Sequence, residues 1–476
     1  MQSDGTRIDR WGYPVRTTSD ASISAINSYY EQVLNYGRQR SVILQAPLGD
    51  DKCVLANTLA GYFLSFSDRS LASTHLSAAQ SRLEYATEYE RAVFYAVSSL
   101  VKEDRDENVA LDMHFKLLKG FPRDLASLKR AQILCFYTGR PEHSLSLVEM
   151  VLPQNQVESY VYGMLSFPLL ELDRMEEAEK AAKRGLEINK EDIWSQHNLC
   201  HVFQNDGRFK EAVEFMEACS WSWSSCSSFM YTHNWWHVAV CYLEGHSPLE
   251  KVLEIYDHHI WKELQRSDAE PGEVYLNALG LLLRAYLRGK MTCIEDRLKT
   301  LVNCLTDKSV WHMEWQLDVL ALWALANTGE VNKAEELLKS LKSRFYDMSK
   351  EKQEKMQRGL SLAEAMYEYG RGNCSQVYEL LGPNFDAKNC KIIGASDEQL
   401  EVFDEVWLKV LLSTRRASEA IQEIKKSIKK REHVPFLWHL LWRENSPSCP
   451  SITCYMLGRY NEYKFNPSEQ NQRSTQ

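Results

Sequence analysis

Four small residues keep exact time along the middle of this chain. Ala110, Ser144, Ala178 and Ala212 follow one another at intervals of 34, 34 and 34 residues. Each sits in an amphipathic stretch: ENVALDMHFKLLKGFPRD from Glu107, GRPEHSLSLV from Gly139, DRMEEAEKAAKRGLEIN from Asp173 and GRFKEAVEFMEA from Gly207. A fixed period in this range marks a repeated supersecondary unit rather than an independent globular core. A small side chain at the same place in every unit lets one helix pack closely on its partner. Pro122, 12 residues after Ala110, stands where the second helix of the unit would end.

Thirty-four residues is the tetratricopeptide period, with two antiparallel helices per unit. Further along, EWQLDVLALWALANTGEVNKAEELLKSLKSRF repeats the pattern with Gly329 in the turn and Ala334 at the small position, and the interval to Val377 and Ala420 lengthens to 43. The expected fold is therefore all-α: one α-solenoid of tetratricopeptide-like helix pairs, forming a right-handed superhelix with a concave groove. The expected organisation is a flexible N-terminus over 1–20, N-terminal helical units over 21–90 and tetratricopeptide repeats with a histidine-lined groove over 91–262. Degenerate helical repeats follow over 263–463, with a disordered tail over 464–476. Residues 21–100 read as three or four helices, and 383–398 as a loop.

Composition closes off several functions. The 476 residues carry 56 Lys and Arg against 65 Asp and Glu, a net charge of −9. A nucleic-acid-binding surface is therefore not expected. Apolar residues make up 44%, enough for a large core. No window is long and apolar enough to span a membrane, and the first residues lack the apolar stretch of a secretory signal. The 12 cysteines form no CxxC pair, so reduced thiols and a cytoplasmic location are expected.

Two stretches carry the chemistry. Trp194-Ser-Gln-His197-Asn198-Leu-Cys-His201 and Tyr231-Thr-His233-Asn234-Trp235-Trp236-His237 both contain H-N-x-x-H, offset by 36 residues. A four-residue step puts two histidines on one helix face. An offset of nearly one repeat carries that face to the next unit, where packed axes lie about 8–10 Å apart, so the rings of His197 and His233 should come within about 12 Å. In tetratricopeptide numbering His197 and His201 fall at positions 5 and 9, which line the groove, with Trp194 at position 2. Six of the 13 tryptophans (Trp194, Trp221, Trp223, Trp235, Trp236 and Trp261) crowd this region, and WSWSSCSS over 221–228 reads as a loop extending over the groove.

Imidazole is the commonest metal ligand, so His197, His201, His233 and His237 are candidate ligands for a divalent metal. The same residues also suit a groove for a polar peptide or small molecule, which is the expected role, or a hydrogen-bonded network that stiffens the helices. No HExxH, GxSxG, P-loop or GxGxxG motif is present. Cys241, one turn from His237, and Cys200 read as small buried thiols. Lys129 and Arg130 are a fragment of the clamp with which some repeats hold a peptide carboxylate; the rest of that pattern is missing.

HNWWHVAVCYLEG (233–245), EIYDHHI (254–260), EDIWSQHNLCHVF and GRFKEAVEFME together resemble the tetratricopeptide repeat protein 38 family. The resemblance runs from about residue 20 to 440 and is most specific between 159 and 260. It implies a soluble, mainly cytosolic helical-repeat protein. It also implies functional positions at His197, His201, His233, Asn234, Trp236, His237, Tyr256, Asp257 and His259. Three departures stand out. Gln204 replaces an acidic residue, and Asn57 and Val319 stand where relatives carry histidine. The expected function is an interaction or scaffold role, with a peptide or small polar ligand held by His197, His201, His233, Asn234, Trp236, His237, Asp257, His259 and Trp194. The alternatives are an enzyme built on the paired histidines, possibly metal-dependent, with Asp257 or His259 as base or ligand, and a purely structural solenoid.

Overall fold

The computed structural model describes residues 5–102 and 105–445; the side chains of 442–445 and the expected tail over 464–476 lie outside the described set. The described chain is helical almost throughout. Its only named strands are the two-residue pair Arg7–Ile8 and Pro14–Val15, paired antiparallel. None of its helices is long and apolar enough to cross a membrane.

Two compact units divide the chain: Met1–Leu199 with Ser222–Ser227, and Cys200–Trp221 with Ser228–Gln476. In the first, the N-terminal segment forms five α-helices between Asp20 and Val101, against the three or four expected. Successive helices pack on each other, as Ser159–Glu171 does on Met175–Ile188, and helices two apart also touch, as Leu125–Tyr137 does with Ser159–Glu171. The second unit behaves alike along Ser228–Glu244, Pro271–Leu287, Trp315–Asn327 and Lys350–Gly370. Residues 383–398, expected as a loop, contain the 3₁₀ segment Ala387–Ile393. The helix Asp397–Ser413 then starts with a capping box between Ser396 and Gln399.

The repeated small residues sit where close packing needs them. Ala110, Ala178, Ala212, Ala334, Val377 and Ala420 are fully buried and Ser144 nearly so. The Ser166 hydroxyl donates to the Ala178 carbonyl on the neighbouring helix at 2.9 Å. A second marker runs in step. Gly139, Asp173, Gly207, Gly329, Gly372 and Arg415 all have φ between 57° and 94°. Each ends one helix in the left-handed conformation, five residues before the small residue of the next. At Gly207 the turn must also be glycine for space, since a Cβ would lie 2.1 Å from that of His433. We expect Ala178→Leu and Ala212→Leu each to destabilise by about 1–3 kcal/mol through overpacking. Thermal denaturation checks this, and unchanged melting of both would refute the shared phase.

The first unit also buries a polar network. Tyr30 and Tyr89 share a hydrogen bond of 3.1 Å, and Tyr89 donates to Asp124 at 3.0 Å. Asp9 accepts from the backbone N–H groups of Trp11 and Tyr13 through one oxygen. Burial, aided by the Asp124 carboxylate and only partly offset by those N–H groups, pushes Asp9 up to about 7. A carboxyl raised in the folded state stabilises below its unfolded pKa of about 3.9, and that contribution is lost as pH rises through 7. Asp9→Asn keeps the accepting oxygen and removes the charge. We expect it to raise the melting temperature at pH 8, by an amount corresponding to about 1–3 kcal/mol, and to change little at about pH 3.5, where both states hold the proton. Melting curves at the two pH values check the sign.

Candidate metal centre

The helix Ile193–Asn205 carries His197 and His201 one turn apart. The helix Ser228–Glu244 carries His233 and His237. All four histidines are at most 3% exposed. One candidate ligand atom from each, four in all, lie within 4.8 Å of one another. The ring centroids of His201 and His237 are 4.4 Å apart and those of His233 and His237 4.7 Å. Nitrogens around a shared transition metal, at about 2.0–2.1 Å from it, would span distances of this order.

The surroundings decide which nitrogen of each ring carries its proton. Thr232 donates its hydroxyl proton to the Ser228 carbonyl, so it accepts from the Asn277 amide, whose N–H₂ group also reaches the Glu273 carbonyl. The Asn277 oxygen must then face His233 Nδ1, 2.9 Å away, and that nitrogen must be the donor. The Gln204 amide nitrogen faces the Glu244 carboxylate at 3.4 Å, which leaves its oxygen to accept from His237 Nδ1 at 3.1 Å. His201 Nδ1 lies 2.6 Å from Glu398 Oε1. Three rings are thus turned the same way, with the proton on Nδ1 and the lone pair on Nε2. Metal-bound histidines show this outer arrangement, a carboxylate or carbonyl on one nitrogen and the ion on the other.

Electrostatics agree. Burial lowers His233 to about 4, so its ring is neutral at pH 7 and keeps its lone pair. Burial alone would raise Glu398, but the adjoining His201 ring holds it down at about 2, so the carboxylate is ionised. Imidazole ligands bring no negative charge to a divalent cation, and Glu398 places one 2.6 Å beyond the His201 ring.

Behind the histidines stands a buried ionic cluster within the second unit. Arg431 donates to Glu244 at 2.7 Å and also pairs with Glu401. Arg288 holds Glu405 at 2.7 Å. Arg284, fully buried, reaches the Glu398 carbonyl and covers the Trp236 ring at 5.5 Å.

The remaining expected site residues disperse. Trp236 belongs to the cluster, stacked on His233 at 5.2 Å, and Asn234 is fully buried beside it in sequence. Trp194 stacks on His197 at 4.9 Å and meets the Lys129 ammonium at 4.2 Å. Asp257 lies in the π-helical turn Tyr256–Ile260 and is taken up by Arg297 at 2.6 Å, and His259 stacks on Trp235 at 3.6 Å; neither joins the four histidines. Lys129 and Arg130 are 5% and 3% exposed, so they are not presented to a peptide carboxylate. Asn57 accepts from His75 at 2.9 Å, and Val319 is core. The stretch expected as a loop over the groove is the 3₁₀ segment Ser220–Ser225, with Trp223 fully buried and bonded to Gln196 at 2.9 Å. An open groove presents its lining to solvent, whereas these four histidines are at most 3% exposed.

Sequence reading missed Glu398, Asn277, Glu244 and Arg431. One local signal existed: Glu398, Glu401 and Glu405 share a face of Asp397–Ser413, an unusual acidic stripe along an otherwise buried helix.

Fold and site together define an all-helical protein with a buried four-histidine centre. No family model matches the chain.

Proposed function

We propose that this is a tetratricopeptide-like helical-repeat protein that holds one divalent transition-metal ion on His197, His201, His233 and His237. The observation that carries the reading is the common orientation of His201, His233 and His237, each with its Nδ1 proton fixed by an oxygen outside the cluster. An all-imidazole donor set suits zinc, copper, iron or nickel better than magnesium or calcium, which prefer oxygen. The 34-residue phase, the left-handed turns and the resemblance to the tetratricopeptide repeat protein 38 family support the repeat class. An interaction role for the remaining surface is compatible with this reading.

The test is elemental analysis of the purified full chain after dialysis, with metal counted per protein. About one transition-metal ion per chain is expected, falling below a tenth in a His233→Gln, His237→Gln double variant that retains its helical spectrum. Absence of metal from the wild-type chain, together with failure to take up added zinc, would leave the hydrogen-bonded network as the reading.

A further inference from the structure

A second constellation lies elsewhere in the second unit, on residues that no motif connects. His312 Nδ1 is 2.8 Å from Asp318 Oδ2, and His312 Nε2 is 2.8 Å from the Ser340 hydroxyl. Asp318 begins the chain of constraints. It is 1% exposed and accepts the backbone N–H of His312 through its other oxygen at 3.0 Å. A carboxylate on Nδ1 makes that nitrogen the donor, so Nε2 bears the lone pair and the Ser340 O–H must point at it. Nucleophile, base and orienting acid therefore stand in hydrogen-bond contact in the order that acyl transfer needs.

The backbone adds an independent observation. His312 has φ of 61°. Asp173, His246 and Arg415, other non-glycine residues in this region, each close a helix at the turn before the next. His312 instead sits in the connection between the 3₁₀ segment Lys308–Val310 and the helix Trp315–Asn327. A non-glycine residue is disfavoured there, and such strain concentrates where a side chain must be aimed. What it achieves is to bring the ring between a buried acid six residues ahead and a hydroxyl on the helix Val331–Tyr346. His312 and Ser340 are both partly exposed.

We propose that Ser340, His312 and Asp318 form a serine-nucleophile site that accepts acyl groups from small activated esters. Ser340 Oγ attacks the ester carbonyl carbon while its proton passes to His312 Nε2. The proton then goes to the departing alkoxide or phenoxide as the ester C–O bond breaks. Water, deprotonated by the same nitrogen, hydrolyses the acyl-serine and restores the hydroxyl. Asp318 keeps the imidazole in the required tautomer and stabilises its charged form. Ser340 lies within a regular helix rather than on a sharp elbow that exposes backbone N–H groups. Loss of one oxyanion donor costs about 10²–10³ in rate, so slow turnover with an accumulating acyl-serine is the expected behaviour.

The experiment treats the full-length protein with a fluorophosphonate probe and with p-nitrophenyl acetate, followed by intact mass and peptide mapping. One adduct is expected, on Ser340, absent in Ser340→Ala and formed at least 100-fold more slowly in His312→Gln. Asp318→Asn should slow it comparably, and melting temperatures of all three variants verify folding. Labelling of Ser340 that is equally fast in His312→Gln would overturn the proposal, as would no adduct on the folded wild-type chain. Should Asp318→Asn fail to fold, Ser340→Cys provides the second reading: its alkylation by iodoacetamide should depend on His312.

Discussion

Arg431→Met is expected to destabilise the protein by about 3–5 kcal/mol. The substitution keeps most of the side-chain volume and removes the charge. Glu244, with a fully buried side chain, loses its ion pair at 2.7 Å, and Glu401 loses its partner as well. A buried carboxylate stripped of its cation costs far more than the pair contributes, because desolvation remains while attraction is gone. Replacing the pair on both sides, as in Arg431→Met with Glu244→Gln, should recover much of the loss. Equilibrium urea denaturation of the single and double variants measures this. A single variant within 1 kcal/mol of wild type would show that water already reaches the pair.

Glu398→Gln should weaken metal affinity by about 10–100-fold without removing a ligand. The amide preserves shape and can still accept from His201 Nδ1, but it no longer places a negative charge behind that ring. Outer carboxylates on metal-bound histidines have effects of this size, through ligand basicity and orientation. Competition with a chromophoric chelator gives the two dissociation constants. Equal affinities would place Glu398 outside the metal's influence, and its contact with His201 would then be only a link between helices.

The sequence revealed those parts of the molecule that local physics controls. The small residues were legible because close helix packing excludes large side chains at one place per unit, whatever surrounds it. The histidines were legible because a repeated H-N-x-x-H carries its own geometry. Their partners were not. Asn277 is 44 residues from His233, and Glu398 is brought to His201 by a helix far along the chain. The acidic stripe of Glu398, Glu401 and Glu405 marks that helix face as unusual, but nothing local says which of the three meets a histidine. Asp257 misled for the converse reason. It lies close in sequence to the histidine helix, but the π-turn around it directs it to Arg297 instead. Ser340 lay beyond reach altogether, since its partners share no spacing rule with it.

The left-handed turns bear on how a chain like this tolerates change in length. Six units keep the same five-residue step from turn to small residue, while the full interval is 34 residues in the middle of the chain and 43 near its end. One residue gained within that step would rotate everything after it by about 100° and bring a bulky side chain against the neighbouring helix. Nine gained elsewhere leave the contact intact. The turn works as an escapement: it resets the rotation of each unit, so growth in one does not accumulate as error in the next. Insertions and deletions should therefore survive on the far side of each unit and be purged from the five residues after each turn.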